Sequence, residues 1–127
     1  MKALGIGVDI IKNSRIKKFI SNKKFLLRIF SNAEILCSKR INNKISYFSK
    51  RFAAKEAFSK ALGTGFRNGL NFNDISILND RYGKPYIKMN KKLKKILKKK
   101  FNVGKVNTYL SLSDEKKHSI AFVVLSK

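Results

Sequence analysis

Arg51-Phe52-Ala53-Ala54-Lys55-Glu56-Ala57-Phe58-Ser59-Lys60-Ala61-Leu62-Gly63-Thr64-Gly65 is the stretch on which the fold turns. Ala, Lys, Glu and Leu favour a helix, and Gly63 and Gly65 offer an end where positive φ carries no steric penalty. The stretch therefore reads as the second half of a long helix that stops near Leu62. Projected at about 100° per residue, Ala54, Ala57, Phe58, Ala61 and Leu62 form one apolar stripe, and Glu56 lies almost opposite with Lys60 beside it. Phe52 and Phe48, one and two turns before Glu56, bring apolar groups to that second face as well. A carboxylate flanked in this way needs a cation, a metal ion or good hydrogen bonds. Spacing leaves another reading open: Glu four residues ahead of Lys is also the favoured order for an exposed helical ion pair, worth about 0.2–0.5 kcal/mol.

On the N-terminal side, Leu4, Ile6 and Val8 alternate with Ala3, Gly5, Gly7 and Asp9, the period of a strand with one apolar and one nearly bare face. The two glycines allow another backbone or a ligand to come close. Asp9 is expected where this strand gives way to a helix over Ile10 to Ile20, either as a helix cap or as a second site carboxylate. That first helix is basic and amphipathic, with Arg15, Lys17 and Lys18 between Ile16, Phe19 and Ile20. Its charge fits a solvated face or a docking surface for an acidic partner. Phe25, Leu26, Ile29 and Phe30 make a short apolar helix, Ser31 and Glu34 a capping box for the next, and Asn42-Asn43 the break before the long one.

On the C-terminal side the period changes. Asn68-Gly69 reads as a turn, Ile75 and Ile77 as a strand, and Asn79 to Gly83 as a loop into Lys84 to Met89, with Pro85 marking a strand start or an edge. Asn90 can cap a helix whose stripe is Leu93, Ile96, Leu97 and Phe101. The lysines from Lys91 to Lys100 read as its solvated face. Val106 to Ser113 and Ser119 to Leu125 form a terminal hairpin, with His118 as a structural residue at its second strand. The expected class is α+β, a single domain over 1–127 with a small antiparallel sheet packed with a long central helix.

Composition narrows the function classes less than it first suggests. Thirty Lys plus Arg against seven Asp plus Glu give a net charge of +23, which favours acidic partners and raises nucleic acid as a candidate, with Tyr82, Tyr86 and Phe101 near lysines. Only six of the basic residues are Arg, however, and abundant Lys, Ile, Asn and Phe also reflect AT-rich coding. A small nucleic-acid binder leaves Asp9 and Glu56 unexplained. Cys37 is the single cysteine, which excludes an internal disulfide and fits a reducing, cytoplasmic setting. There is no signal-peptide pattern, no spanning apolar run, no P-loop, no GxGxxG and no HExxH, and one histidine argues against a His-dependent triad.

Gly5-Ile6-Gly7-Val8-Asp9-Ile10 with Arg15, the run from Arg51 to Gly65, and Gly83-Lys84-Pro85 together resemble the AcpS-type 4'-phosphopantetheinyl transferases, nearly from end to end. The resemblance implies that family's fold. It also implies transfer of the 4'-phosphopantetheine arm of coenzyme A to a serine of an apo acyl carrier protein, releasing adenosine 3',5'-bisphosphate, for fatty acid biosynthesis. Asp9 and Glu56 match the family's Mg²⁺ ligands, and Lys60 matches the lysine at the phosphates. Either Glu56 or a water on the metal takes the serine's proton. Arg51, the Gly63-Thr64-Gly65 turn, Lys84 and Pro85 match coenzyme A contacts, although the glycine turn is equally a plain helix end. The basic first helix, with Arg28, becomes the carrier's docking face. A homotrimer with sites between subunits is implied, without nucleic acid or membrane as partner. One departure is that many relatives carry histidine at the end of the penultimate strand, where this chain has Asp114.

Overall fold

Pairing with the last strand of the chain decides where the first element ends. In the computed structural model, which describes residues 1–66 and 69–127, Ile10 and Ile11 extend β1 (Ala3–Lys12) beyond Asp9. β1 pairs antiparallel with the last strand of the chain: Asp9 faces Ala121, Ile10 faces Ile120 and Lys12 faces His118. The expected helix from Ile10 to Ile20 thus shrinks to the five residues of α1 (Asn13–Lys17), and Asp9 is a mid-strand residue rather than a cap. Long-range pairing outweighs the local helical pattern here. Asn13 fixes the junction, donating through Nδ2 to the carbonyls of Glu115 and Lys116, both at 3.2 Å, and accepting from Ser119 Oγ at 2.7 Å.

The caps fall where the side chains dictate. α2 (Lys23–Ile29) starts on Asn22, whose side chain accepts from the Phe25 amide. α3 (Asn32–Ser38) starts on the complete Ser31–Glu34 capping box, and α4 (Lys44–Leu62) starts on Asn43. α4 ends at Gly63, whose φ of 86° is left-handed and whose amide returns to the carbonyls of Ser59 and Lys60. A 3₁₀ turn at Phe72–Asp74 leads into β2 (Ile75–Asn79), β3 (Pro85–Met89), α5 (Lys91–Phe101), β4 (Asn107–Asp114) and β5 (His118–Ser126). The expected Asn68-Gly69 turn has Asn68 outside the described residues.

The strands form two antiparallel sheets instead of the one expected: a three-stranded sheet in the order β1-β5-β4, and the hairpin β2-β3. β3 lies beside β4 without joining its ladder, and α5 takes up the chain between them. α4 crosses the three-stranded sheet, and the bare face of β1 is the one turned inward. A Cβ on Gly7 or Gly5 would overlap the carbonyl oxygens of Ala57 and Ala61 respectively, so helix and strand backbones meet with nothing between them. Ala121, Val123 and Leu125 of β5 continue this buried layer, and Ala53, Ala54 and Phe58 of α4 are fully buried as well. The apolar face of β1 therefore points outward, with Ile6, Val8 and Ile10 each more than half exposed at 63%, 54% and 61%.

α5 covers the hairpin through buried Leu93 and Leu97 and turns its lysines outward. Lys92 reaches across to Asp74 at 2.8 Å, and Asp74 also accepts from the Asn71 amide at 2.9 Å and from Asn90 Nδ2 at 2.8 Å. Partial burial pushes the Asp74 carboxyl up. The hydrogen bonds from Lys92, Asn71 and Asn90 outweigh it and hold the group below the ordinary carboxylate value. A carboxyl depressed in the folded state stabilises above its unfolded pKa of about 3.9, and that contribution is lost as pH falls through the folded value. Asp74→Asn is expected to cost about 1 kcal/mol at neutral pH. Urea titrations repeated down to acid pH should show this difference closing below about pH 4; a difference independent of pH would mean that the ion pair contributes nothing.

Candidate active site

Strand parity and helix periodicity bring two carboxylates to one place. Asp9 shares the inward face of β1 with Gly5 and Gly7, and Glu56 precedes Ala57, the residue against which Gly7 packs. Lys60, one turn after Glu56, donates from Nζ to Asp9 Oδ1 at 3.1 Å and to the Val8 carbonyl at 3.0 Å. The Lys60 side chain is 56% exposed and that of Asp9 17%, so the group opens to solvent on the lysine side. Glu56 is half-buried, and burial is the first reason that its carboxyl is pushed above the ordinary value. The negative charge of Asp9 adds to this, while Lys60 and Arg15 oppose it.

Two carboxylates that repel each other, with Lys60 and Arg15 not enough to restore the ordinary pKa of Glu56, make a place for a further positive charge. The donor set is all oxygen and lies apart from Cys37 and His118, which suits a hard cation such as Mg²⁺. Among the described residues no cluster of three or more His, Cys, Asp or Glu offers a closed metal cage. An open site that completes its shell with phosphate oxygens and water needs only the two. Gly63, Thr64 and Gly65 come directly after the last turn of α4, the turn that carries Lys60.

Arg51 lies elsewhere. Five residues before Glu56, it points about 140° away around the helix. It is buried to 5% exposure with its guanidinium 3.7 Å from the centre of the Tyr47 ring. Nη1 donates to the Tyr47 carbonyl at 3.3 Å and Nη2 to Asn79 Oδ1, while Nε has no partner among the described residues. Burial draws its pKa below the usual arginine value. Arg51 and Pro85 line one cavity of about 460 Å³, together with Lys50, Asn79, Gly83 and Asp114. Lys84 is exposed, outside that lining, and its amide is tied to Asp80. The residues expected in one site are thus divided: Asp9, Glu56 and Lys60 meet where α4 packs against β1, whereas Arg51 and Pro85 line a separate cavity.

Residues 5–123 match the family model described as the 4'-phosphopantetheinyl transferase superfamily. The chain belongs to that superfamily. Among curated proteins, this superfamily member is 58% identical over 127 residues to the holo-[acyl-carrier-protein] synthase of Pelagibacter ubique (strain HTCC1062), covering 100% of this chain and 99% of that one. It is 43% identical to the synthase of the same name from Zymomonas mobilis, with 96% and 95% of the two chains covered. The crystal structure of holo-[acyl-carrier-protein] synthase from Neisseria meningitidis superposes with a TM-score of 0.86 at 40% identity, covering 98% of this chain and 99% of that one. A Bacillus anthracis synthase in complex with CoA (3',5'-ADP) superposes with a TM-score of 0.81 at 34% identity, covering 99% and 98%. The α+β phosphopantetheinyl transferase fold expected from the sequence is the fold found.

Sequence reasoning missed the polar network behind the superfamily motif. Lys55, beside Glu56, is wholly buried, with Nζ 2.7 Å from Glu34 Oε1 and donating also to the carbonyls of Phe72 (2.9 Å) and Ile75. Glu34 Oε2 accepts from the Ile77 amide at 3.0 Å, and the Tyr47 hydroxyl donates to the Glu34 carbonyl at 2.6 Å. This network joins α3, α4 and β2 and sets the ring on which Arg51 rests. A signal was present: Phe48, Phe52 and Phe58 surround Lys55 at helical spacing, and a cation so placed requires a buried counter-ion. Tyr47 four residues before Arg51 likewise carries the spacing of a stacked helical pair.

Proposed function

We propose that this protein is a holo-[acyl-carrier-protein] synthase, transferring 4'-phosphopantetheine from coenzyme A to a serine of an apo acyl carrier protein in fatty acid biosynthesis. The observation that carries it is the Asp9–Glu56–Lys60 group on a chain that shares 58% of its residues with a synthase of that activity. Asp9 and Glu56 are the residues that would hold Mg²⁺, which when bound supplies positive charge to a pyrophosphate being split. Lys60 adds a point charge on the solvent side of the pair, where its ammonium would offset the charge of an incoming phosphate. Glu56, with its proton affinity raised by burial and by Asp9, is suited to receive the serine's proton. Arg15, close enough to Glu56 to lower its pKa, belongs with Lys17, Lys18 and Arg28 to a basic surface for the acidic carrier.

The site as proposed is completed between subunits. The Arg51–Pro85 cavity and the carboxylate pair lie on different faces of α4, so one coenzyme A spans both when neighbouring copies each contribute one. The outward face of the three-stranded sheet supports such an assembly. Ile6, Val8 and Ile10 of β1 continue into Ile120 and Phe122 of β5 and Tyr109 of β4, all exposed in the single chain. A cyclic homotrimer would cover it. Phe122→Lys is expected to give monomers by light scattering and to lower transfer by more than about tenfold through loss of the shared site; a monomeric and fully active wild type would overturn the trimer. No helix among the described residues is long and apolar enough to cross a membrane, and we propose a cytoplasmic enzyme.

The activity is tested by incubating the protein with apo carrier, coenzyme A and Mg²⁺ and weighing the carrier by mass spectrometry. A phosphopantetheine mass gain that EDTA abolishes is expected. No gain with a verified carrier and an assembled oligomer would refute the activity.

A further inference from the structure

We propose that Lys50 is a specificity-determining residue of the Arg51 cavity, where its ammonium binds the 3'-phosphate of coenzyme A. The inference rests on the transferase reading above and extends it to a residue outside the motif. Coenzyme A and the released adenosine 3',5'-bisphosphate carry a phosphate monoester on the ribose, away from the pyrophosphate that Asp9, Glu56 and Lys60 would meet. A dianion there needs its own cation. The cations lining the cavity beside Pro85 are Lys50 and Arg51. Arg51 is buried to 5%, stacked on Tyr47 and tied to the Tyr47 carbonyl and to Asn79, so its guanidinium is a fixed wall with little surface to offer.

Lys50 has the opposite character. Its side chain is 30% exposed, and its one partner among the described residues is Asp114 Oδ1 at 4.0 Å, the outer limit of an ion pair. The other carboxylate oxygen, Oδ2, accepts from Ser46 Oγ at 2.5 Å, so Asp114 stays in place at the end of β4 and keeps the ammonium at the cavity mouth. Three N–H donors on a flexible stem, loosely held, can turn to a phosphate dianion, which attracts an ammonium more strongly than a single carboxylate does. Asp114 thereby has a part in the nucleotide pocket without donating to phosphate itself. Arg40 and Lys39 line a neighbouring cavity of about 660 Å³, which shares Arg51 and Asn79 with the first but is not lined by Lys50 or Pro85.

The test is calorimetric titration of adenosine 3',5'-bisphosphate and of adenosine 5'-phosphate into wild type, Lys50→Gln and Lys50→Arg, with the carrier mass assay run on the same preparations. Wild type should prefer the bisphosphate. Lys50→Gln should weaken bisphosphate binding about tenfold, the effect of losing one charge-assisted hydrogen bond, and leave 5'-phosphate binding unchanged. Lys50→Arg should retain most of the preference. An equal loss for both nucleotides in Lys50→Gln, or an undiminished preference, overturns the assignment, and the second result moves the 3'-phosphate to Arg40. Where wild type modifies the carrier while Lys50→Gln keeps its preference, only this inference fails. Where wild type binds neither nucleotide and leaves the carrier unmodified, the transferase reading fails with it.

Discussion

Glu56→Gln is expected to lower transfer to the carrier by about 10²–10⁴-fold, the range for removing a positioned acid–base group, while the protein stays folded. Glutamine keeps the shape of the side chain and one acceptor oxygen, but it can neither take a proton nor balance a divalent charge. With Glu56 as one of the proposed Mg²⁺ ligands, protons and the metal would compete for the same carboxylate, because each requires its negative charge. Glu56 is held above the ordinary carboxylate value by burial and by Asp9, so its ionised fraction falls at a higher pH than that of a free glutamate. The Mg²⁺ concentration for half-maximal rate should therefore rise as pH falls through that raised value. Glu56→Gln should lose this part of the pH dependence along with the rate. A variant that keeps more than about a tenth of wild-type turnover would remove Glu56 from the chemistry and leave it as an electrostatic neighbour.

What could be read from the chain follows the range of the interactions involved. The Ser31–Glu34 capping box, the Gly63 helix stop, the β2–β3 and β4–β5 hairpins and the Leu93–Leu97 stripe are set by residues a few positions apart, and each falls where the pattern puts it. The end of β1 is set by β5, more than a hundred residues away, so Ile10 and Ile11 read as helix until their partners Ile120 and Ser119 are known. Alternation showed which residues of β1 share a face but not which face turns inward. The glycine face does, because α4 comes too close for any side chain, and Ile6, Val8 and Ile10 are left outside. Asp9, Glu56 and Lys60 are brought together by the packing of α4 on β1, a long-range contact that spacing alone does not show. Arg51 lies apart from them because it points to another side of the same helix, and Pro85, at the start of β3, lines the cavity on that side.

Lys55→Met should be the most destabilising of the conservative-volume changes near the site, at about 3–5 kcal/mol, because it leaves the Glu34 carboxylate buried without its cation. In a chain of this size that corresponds to a fall in Tm of roughly 10–20 °C. The Phe72 and Ile75 carbonyls lose their donor at the same time, which adds to the cost. Glu34 keeps the amides of Ser31 and Ile77, at 2.9 and 3.0 Å, so its position survives and the loss is electrostatic more than steric. A second substitution separates the two. Glu34→Gln in the Lys55→Met background removes the uncompensated charge while an amide oxygen can still accept one of those N–H groups. The double variant should therefore regain about 1–3 kcal/mol over Lys55→Met alone, a coupling that chemical denaturation of all four proteins can measure. Strict additivity would mean that the pair is no more than two separate hydrogen-bonding groups. Coupling of that size would make Lys55 the reason that the residue next to it, Glu56, is presented from a helix held rigidly against α3 and β2. The motif's lysine and glutamate would then act together, one anchoring the helix and the other facing the substrate.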